Sequence, residues 1–324
     1  MKALVNTAPG VLEPREVPLP QPSPGQVRIR TAACGICATD LEMIAGWDRT
    51  GFPSIPGHEW SGVIDAVGPG VDAALVGTRC VAENVLNDGG EVGFEHPGGY
   101  GAFLVTRAAN VQPLPGSVAF ASAVLIEPLA VCVRALRRLR LEDERTALVF
   151  GDGPIGLLLL KLLARQSIHR LCLVGGRPSR LRLAADLTGA ATLNYHEING
   201  SLAEAIRQRL GQDFPNVIEA SGSTAGMEAA LQAAARGGKL LVIGDYGKAC
   251  AEFRWNHLLH RELELIGSNA SAGAWPEAVQ TAAAEPAFME RLVTHRLHVA
   301  RHAEALELAR HSREAVKVVL LWDA

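Results

Sequence analysis

The chain has no hydrophobic run of the length that a transmembrane helix needs, which is about 20 residues. A leucine-rich stretch at 157–163 is short and is interrupted by Lys161. Residues 1–7 lead to Pro9 without the apolar core of a signal peptide. We therefore expect no membrane partner and a cytoplasmic location.

A strong excess of charge of either sign is also missing. The 324 residues include 31 Lys or Arg and 34 Asp or Glu, for a formal net charge of −3. No basic block and no alternation of basic with aromatic residues occurs, so nucleic acid and anionic membranes are not expected as partners. The apolar fraction of 48% is ample for two domains, each with its own core.

Cysteine is too scattered for a disulfide framework. The six cysteines are Cys34, Cys37, Cys80, Cys132, Cys172 and Cys250. The Cys-x-x-Cys pair of Cys34 and Cys37 has no second pair to complete a zinc ribbon and no thioredoxin-like setting to make it a redox pair. The glycine-rich loop at 87–101 has no cysteine cluster, so no structural zinc is expected and His96 is interpreted as a loop histidine.

An imidazole and a carboxylate stand side by side after a Pro-Gly turn. His58 and Glu59 precede an apolar, β-branched run that predicts a strand. Because neighbouring side chains of a strand point to opposite faces, one of the pair is expected to reach a metal while the other supports it. A single histidine is more often structural, and it is the combination with Cys37 and Glu127 that favours a metal site.

Two further candidate ligands need a chemical explanation for their positions. Cys37 belongs to a corner that starts at Cys34, after a strand-like segment at 26–32. Glu127 interrupts an apolar run, and a buried carboxylate requires a metal, a cation or a capping role. Because Pro128 follows as a first helical residue, a helix N-cap is the alternative explanation for Glu127.

A thiolate, an imidazole and carboxylates form the ligand set of a catalytic zinc that keeps an open position. The predicted ligands are Cys37, His58 and Glu127, with Glu59 as an optional or exchanging fourth ligand. An alcohol at the open position would lose its proton more easily, since zinc lowers the pKa of bound water to about 7. Thr39 is the candidate acceptor of that proton, and Asp40 is placed to support the ligands. Both are counted with Glu59 as candidate catalytic residues.

From residue 146 onward, buried strands alternate with amphipathic helices, which predicts a parallel sheet covered on both faces. The strand at 146–150 ends in a glycine-rich turn that leads into a helix at 155–165. Glycines in such a turn permit a tight bend and a close approach of the backbone to a pyrophosphate. The residues expected to bind a dinucleotide there are Gly151, Gly153, Pro154, Ile155 and Gly156.

An acid is missing at a position where NAD-binding proteins with such a parallel sheet and glycine turn carry one. That acid stands about 20 residues beyond the glycine loop and binds the adenosine ribose hydroxyls. Here the second strand runs into Gly175 and Gly176, followed by Arg177 and Arg180. Because arginine can hold a phosphate through two charge-assisted hydrogen bonds, NADP is predicted to be preferred over NAD. The alternative is that both arginines belong to a solvated helix start.

The chain resembles the zinc-dependent medium-chain dehydrogenase/reductase family of alcohol and polyol dehydrogenases along essentially its whole length. The shared motifs are Cys-Gly-Ile-Cys-Ala-Thr-Asp at 34–40, Gly-His-Glu-x-x-Gly at 57–62 with the later Gly68 and Val71, Ile-Glu-Pro-Leu at 126–129, and the glycine loop at 151–156. The resemblance implies an α/β fold. A GroES-like β-rich catalytic domain at 1–124 would be completed by 268–324, and a Rossmann domain with a doubly wound parallel sheet would span 125–267. We also expect a homodimer or homotetramer.

The resemblance assigns roles to single residues as well. Cys37 and not Cys34 is the ligand, and an acid at Glu127 is typical of the polyol and sugar dehydrogenase branch. Tyr195 matches a residue that lines the phosphate site of NADP-dependent secondary-alcohol dehydrogenases, which share the Gly-x-Arg-Pro pattern of 175–178. Two departures are the missing structural-zinc cysteines and Glu42, which stands where several members have a relay histidine.

Three functions compete. The leading one is a zinc- and nicotinamide-dependent oxidoreductase that acts on a secondary alcohol, polyol or sugar, or on the corresponding ketone. A zinc-free, NADPH-dependent reductase of activated double bonds would have no use for three metal ligands at this spacing. A dinucleotide-binding protein without turnover would bind the cofactor and oxidise no alcohol.

Overall fold

The computed structural model describes residues 1–141, 146–166, 168–211, 213–247, 249–250 and 254–323. Contacts divide the chain into two units, Met1–Glu127 with Trp275–Ala324, and Pro128–Ala274. The domain limits expected after residues 124 and 267 stay predictions, and the division between the units falls a few residues beyond each. Among the described helices, none is both long and apolar enough to cross a membrane.

The strands and helices are numbered separately along the chain. The strands are β1 (Lys2–Ala8), β2 (Val11–Glu16), β3 (Gln26–Ile36), β4 (Trp60–Val67), β5 (Arg79–Ala82), β6 (Phe103–Arg107), β7 (Val111–Pro113), β8 (Thr146–Phe150), β9 (Arg170–Gly175), β10 (Ala191–Asn194), β11 (Phe214–Glu219), β12 (Ala234–Val242), β13 (Glu264–Gly267), β14 (Val293–His298) and β15 (Lys317–Leu321). The α-helices are α1 (Ala38–Ala45), α2 (Phe120–Ala123), α3 (Ile126–Leu139), α4 (Pro154–Arg165), α5 (Pro178–Thr188), α6 (Leu202–Leu210), α7 (Thr224–Ala233), α8 (Trp255–Arg261), α9 (Trp275–Ala284), α10 (Pro286–Leu292) and α11 (His302–His311).

The unit Pro128–Ala274 is built on one parallel sheet. Its strands lie in the order β10-β9-β8-β11-β12-β13, and each neighbouring pair runs parallel. The residues of β8 from Ala147 to Phe150 are at most 2% exposed, as expected for a strand buried on both faces. The order changes direction between β8 and β11, which is where sheets of the Rossmann type bind dinucleotides. The predicted doubly wound parallel sheet is confirmed.

The turn between β8 and α4 explains the glycine pattern of the sequence. A Cβ atom at Gly156 would lie 1.9 Å from the Gly151 carbonyl oxygen, so a side chain cannot be accommodated there. Helix α4 begins at Pro154 with Gly153 as its N-cap residue, and no side chain caps this end. Its first backbone N–H groups are therefore not satisfied by a capping side chain, which is the condition that a phosphate at a helix N-terminus exploits.

The other unit, Met1–Glu127 with Trp275–Ala324, is rich in strands. Its main sheet has the order β14-β15-β3-β4-β5-β7, and β6 also pairs with β3. The C-terminal strand β15 lies antiparallel to β3, so the end of the chain completes a sheet that the N-terminal part begins. Ile29, Trp60 and Leu320 belong to the apolar cluster that packs on this sheet.

Strand β3 is longer than the sequence indicates. The segment predicted at 26–32 continues to Ile36, so the expectation that Cys34 begins a corner is wrong. The physical reason is that Cys34 is paired on both sides, with Trp60 of β4 and with Leu320 of β15. The corner begins at Cys37, the N-cap residue of α1. One cysteine of the pair is consequently inside the sheet and the other lies at its end.

Candidate catalytic metal centre and nucleotide site

Three of the four predicted metal ligands come together at the end of β3 and the start of β4. The ligand atoms of Cys37, His58 and Glu59 all lie within 4.8 Å of one another. His58 and Glu59 are buried, whereas Cys37 is partly exposed. A sulfur, a nitrogen and an oxygen donor at this spacing are a ligand set that suits zinc. The donor set of this structure therefore fits the metal that the sequence predicts.

Asp40 supports this cluster from α1. Its carboxylate accepts hydrogen bonds from the backbone N–H of Cys37 at 2.8 Å and of Gly57 at 3.2 Å, and it lies 3.0 Å from His58 Nδ1. Asp40 is fully buried. Because Nδ1 is engaged, Nε2 of His58 is the nitrogen left for a metal, and the ring orientation is fixed by the carboxylate. One acid thus ties together the two chain segments that carry the thiolate and the imidazole.

The electrostatic surroundings make His58 strongly basic. Burial by itself lowers its pKa, but the Asp40 carboxylate and the neighbouring Cys37 raise the pKa of His58 well above its ordinary value. The ring also packs against Phe94, with 4.8 Å between the ring centroids. A basic, sterically held imidazole is what a carboxylate behind a histidine ligand provides.

Glu59 has a partner that the sequence analysis missed. Lys317 Nζ donates to both carboxylate oxygens of Glu59, at 2.8 and 2.6 Å, and both side chains are at most 3% exposed. Lys317 starts β15 in an otherwise apolar run, and a lone cation in such a strand requires a partner. That rule is the signal that could have found it. The pair holds Glu59 within the cluster while both of its carboxylate oxygens accept from a cation.

Glu127 lies outside the group of three. It occupies the first turn of α3, which begins at Ile126, so it is not the residue that precedes the helix. In the described part of the chain it makes no hydrogen bond or ion pair, and burial raises its pKa to about 7, with the charge of His58 opposing that rise. A partly buried carboxylate without a donor is an acceptor available to a cation.

Thr39 and Cys34 are placed differently with respect to the thiolate. The Thr39 hydroxyl oxygen lies 3.8 Å from Cys37 Sγ, at the partly exposed edge of the cluster. Cys34 is 0% exposed, and burial is the largest cause that raises its pKa well above its usual value. A buried thiol of this kind stays protonated, which disfavours it as a metal ligand.

The predicted nucleotide residues lie in the other unit, at the carboxyl ends of β8 and β9. The turn at Gly151, Gly153 and Gly156 connects β8 to α4, with Pro154 at the first helical position and Ile155 after it. Gly175 ends β9. A Cβ atom at Gly176 would lie 2.4 Å from Tyr195 Oη, so the tyrosine ring covers that glycine.

The two predicted arginines surround an acid that the sequence analysis did not select. Asp152 accepts a hydrogen bond from Arg177 Nη1 at 2.7 Å, while Arg180 donates to its backbone oxygen at 3.4 Å. Arg180 is 8% exposed, and burial, followed by the charge of Arg177, lowers its pKa to about 10. The arginines are therefore a structured pair around Asp152 and not merely a solvated helix start.

Comparison with known proteins identifies the class. Residues 23–116 match the family described as the alcohol dehydrogenase GroES-like domain, and residues 120–321 match the one described as the glucose dehydrogenase C-terminus. Given this pairing of domains, the chain belongs to the zinc-type medium-chain alcohol/polyol dehydrogenase family. The predicted family, the GroES-like and Rossmann fold class, and the enzyme class of NAD(P)-dependent alcohol or polyol dehydrogenase are confirmed.

Individual relatives cover nearly the whole chain. D-altritol 5-dehydrogenase of Agrobacterium fabrum is 33% identical over 307 residues, which are 87% of this chain and 88% of that protein. Human sorbitol dehydrogenase is 28% identical over 346 aligned positions, covering 99% and 96% of the two chains. The crystal structure of the alcohol dehydrogenase rspB from Escherichia coli CFT073, complexed with NADH, superposes with a TM-score of 0.90 at 26% identity and covers 99% of both chains.

Proposed function

We propose that this protein is a dehydrogenase of secondary alcohols, polyols or sugars that uses one catalytic zinc and prefers NADP. Cys37, His58 and Glu127 would hold the zinc, and Glu59 would be the optional or exchanging fourth ligand. The observation that carries the proposal is that the donor atoms of Cys37, His58 and Glu59 lie within 4.8 Å of one another; Glu127 is proposed as a ligand from its chemistry. Its substrate class is supported by the altritol and sorbitol dehydrogenases to which the chain is similar.

The chain's own residues would perform distinct parts of the reaction. A bound zinc supplies Lewis acidity that lowers the pKa of an alcohol hydroxyl. Asp40 holds the His58 ring at 3.0 Å and so fixes the geometry of the ligands before substrate arrives. The Thr39 hydroxyl, 3.8 Å from Cys37 Sγ, would accept the substrate proton at its oxygen and pass its own proton onward.

In this scheme the ion pair with Lys317 would keep Glu59 from binding the zinc permanently. Both carboxylate oxygens accept from its ammonium group, which offsets the charge of a second acid near the thiolate. A carboxylate whose oxygens already accept from an ammonium group is a weaker ligand for a metal ion. The open position is thereby kept for substrate while Glu59 stays within reach.

The preference for NADP is supported by the end of β9. Gly175 leaves no acid at that strand end, and Arg177 exposes 42% of its side chain beside it. Tyr195 covers Gly176 and is itself 48% exposed. An exposed guanidinium beside an aromatic ring suits a phosphate on the adenosine ribose.

We also propose a homodimer or homotetramer, in a reducing, cytoplasmic compartment. β13 is an edge strand of the six-stranded sheet, and Leu265 on it is 43% exposed. Leu259 on α8, the helix that precedes β13 in the chain, is 68% exposed. Apolar side chains along a sheet edge suit pairing with a second copy. All six cysteines are free thiols, which suits the reducing compartment.

The function is tested by metal analysis and a substrate panel on the purified protein. We expect about one zinc per chain after metal-replete expression, and alcohol oxidation that a chelator removes and added zinc restores. Activity that survives without zinc would favour the double-bond reductase. Tight dinucleotide binding without oxidation of any secondary alcohol or polyol would favour the protein without turnover.

A further inference from the structure

The side chain of Asp152 fills the end of the neighbouring strand. Asp152 lies in the turn after β8 and is 4% exposed. A Cβ atom at Gly175 would lie 2.7 Å from both Cβ and Oδ2 of Asp152. The acid of the turn therefore occupies the space that any side chain at the end of β9 would need. With Asp152 in place, no acid fits at Gly175, yet the Asp152 carboxylate itself lies beside the strand end.

This carboxylate engages three donors that converge at the start of α5. Oδ2 accepts from the backbone N–H of Gly176 at 3.0 Å and of Arg177 at 2.8 Å, and Oδ1 accepts from Arg177 Nη1 at 2.7 Å. Two successive backbone N–H groups and a guanidinium are the donor set that proteins use for phosphate. In this structure the Asp152 carboxylate accepts from all three donors and so takes the place of a phosphate there.

The negative charge of Asp152 affects the two forms of the cofactor differently. A phosphate on the 2′-oxygen would have to share Arg177 with the Asp152 carboxylate. Both groups are negative, so they would repel each other. A 2′-hydroxyl carries no charge and can donate to a carboxylate. The same acid would therefore disfavour the phosphorylated cofactor and tolerate the unphosphorylated one.

We propose that Asp152 is a cofactor-specificity residue, an acid moved from the strand end to the glycine turn, which restrains Arg177 and keeps NAD usable beside NADP. This inference rests on the proposed preference for NADP. Asp152 would limit the strength of that preference. Neutralising Asp152 releases the guanidinium and removes the repulsion, so selectivity for the 2′-phosphate rises.

The test compares binding of adenosine 2′,5′-bisphosphate with that of 5′-AMP, which differ only in the 2′-phosphate. Dissociation constants of both are measured by isothermal titration calorimetry on the full-length protein. Asp152→Asn keeps an oxygen for the two backbone donors and loses the charge. We expect the ratio of the AMP constant to the bisphosphate constant to rise by at least about tenfold in this variant.

Asp213→Asn is the matched control. Asp213 accepts from Arg207 Nε at 2.6 Å and precedes β11, at the amino end of the same sheet. It loses the same charge from an arginine-paired acid that is more exposed than Asp152, 31% against 5% of the side chain, so its ratio should stay at the wild-type value. In the double variant Asp152→Asn/Arg177→Ala the gain should vanish, because the released guanidinium is what captures the phosphate.

Asp152→Ser serves as a second neutral variant, and melting temperatures establish which variants are folded. A ratio that is unchanged or lower in the folded neutral variants would overturn the role of Asp152. The proposed cofactor preference is judged separately, from the wild type alone. A wild-type protein that binds AMP more tightly than the bisphosphate contradicts that preference, whereas a rise in the Asp152 variants would still support the present inference.

Discussion

Asp40 and Asp152 are buried acids with the same hydrogen-bonding pattern in different units. Each accepts two backbone N–H hydrogen bonds, and each also contacts a side-chain nitrogen: His58 Nδ1 at 3.0 Å for Asp40, and Arg177 Nη1 at 2.7 Å for Asp152. The partners differ in exposure. The His58 side chain is 7% exposed, whereas the Arg177 side chain is 42% exposed. A buried partner makes a fixed scaffold, and an exposed partner can exchange its acid for a ligand.

The comparison predicts that loss of a zinc-ligand side chain in the unit that contains Asp40 has the largest effect on turnover. Cys37→Ser and His58→Ala should each lose zinc and at least about a thousandfold of turnover, because Lewis acidity contributes several kcal/mol to the transition state. Metal content by mass spectrometry and initial rates measure this. Cys34→Ser, which removes a thiol within β3, should retain zinc and most activity. Equal zinc loss in the Cys34 and Cys37 variants would show that the ligand is misassigned.

The buried ion pair of the catalytic unit should dominate folding stability. Lys317→Met leaves Glu59 buried without its cation and should reduce the free energy of unfolding by about 3–5 kcal/mol. Urea denaturation measures it, and adding Glu59→Gln should restore part of the loss. The matched surface change is Arg301→Met, whose partner Glu304 is about half exposed; that pair should contribute at most about 1 kcal/mol. Similar losses at both sites would refute the distinction between buried and exposed pairs.

The two acids themselves can be compared by one substitution. Asp40→Asn should weaken zinc binding by about 10–100-fold, because the histidine ligand loses the carboxylate that orients it. Asp152→Asn should leave zinc affinity unchanged, since its partners are the donors at the start of α5. Competition with a chromogenic chelator gives both affinities. If Asp40→Asn binds zinc as tightly as the wild type, the two acids are not functionally different in the way proposed.

Glu127 should have the smallest effect on folding and a clear effect on turnover. Glu127→Ala removes a carboxylate that bonds to no donor in the described chain, so we expect lower kcat with a stability change below about 0.5 kcal/mol. Ser201→Ala is the contrasting variant, since Ser201 caps α6 by accepting from the Glu204 N–H. It should lose about 0.5–2 kcal/mol of stability with activity intact. A Glu127 variant with normal turnover and reduced stability would indicate that the carboxylate only stabilises the first turn of α3.

Much of the fold and of the candidate site could be predicted from local patterns in the sequence. The alternation of buried strands with amphipathic helices predicts the parallel sheet, because each strand reads as a short apolar run between glycine-rich turns. The metal site is predicted from His58 in combination with Cys37 and Glu127, because a thiolate, an imidazole and a carboxylate together form a zinc ligand set. The choice of Cys37 over Cys34 as the ligand is implied by the resemblance to the family, through the motif at 34–40.

The relations that the sequence did not reveal all join distant segments. Lys317 contacts Glu59 only because β15 pairs with β3, and the two residues are 258 positions apart. Cys34 continues the strand only because partners lie on both sides of it. Neither relation has a local signature beyond a cation in an apolar run.

The sequence by itself determined the ligand types, the glycine turn and the missing strand-end acid, since each depends on residue chemistry at short spacing. Only the tertiary structure decided which acid stands beside Arg177. Asp152 and Arg177 are 25 positions apart and meet because β8 and β9 are parallel neighbours whose carboxyl ends share one edge of the sheet. Hydrogen bonds and charge act through space at a few ångströms, so the partner of a side chain is set by the pairing of strands and not by the order of residues.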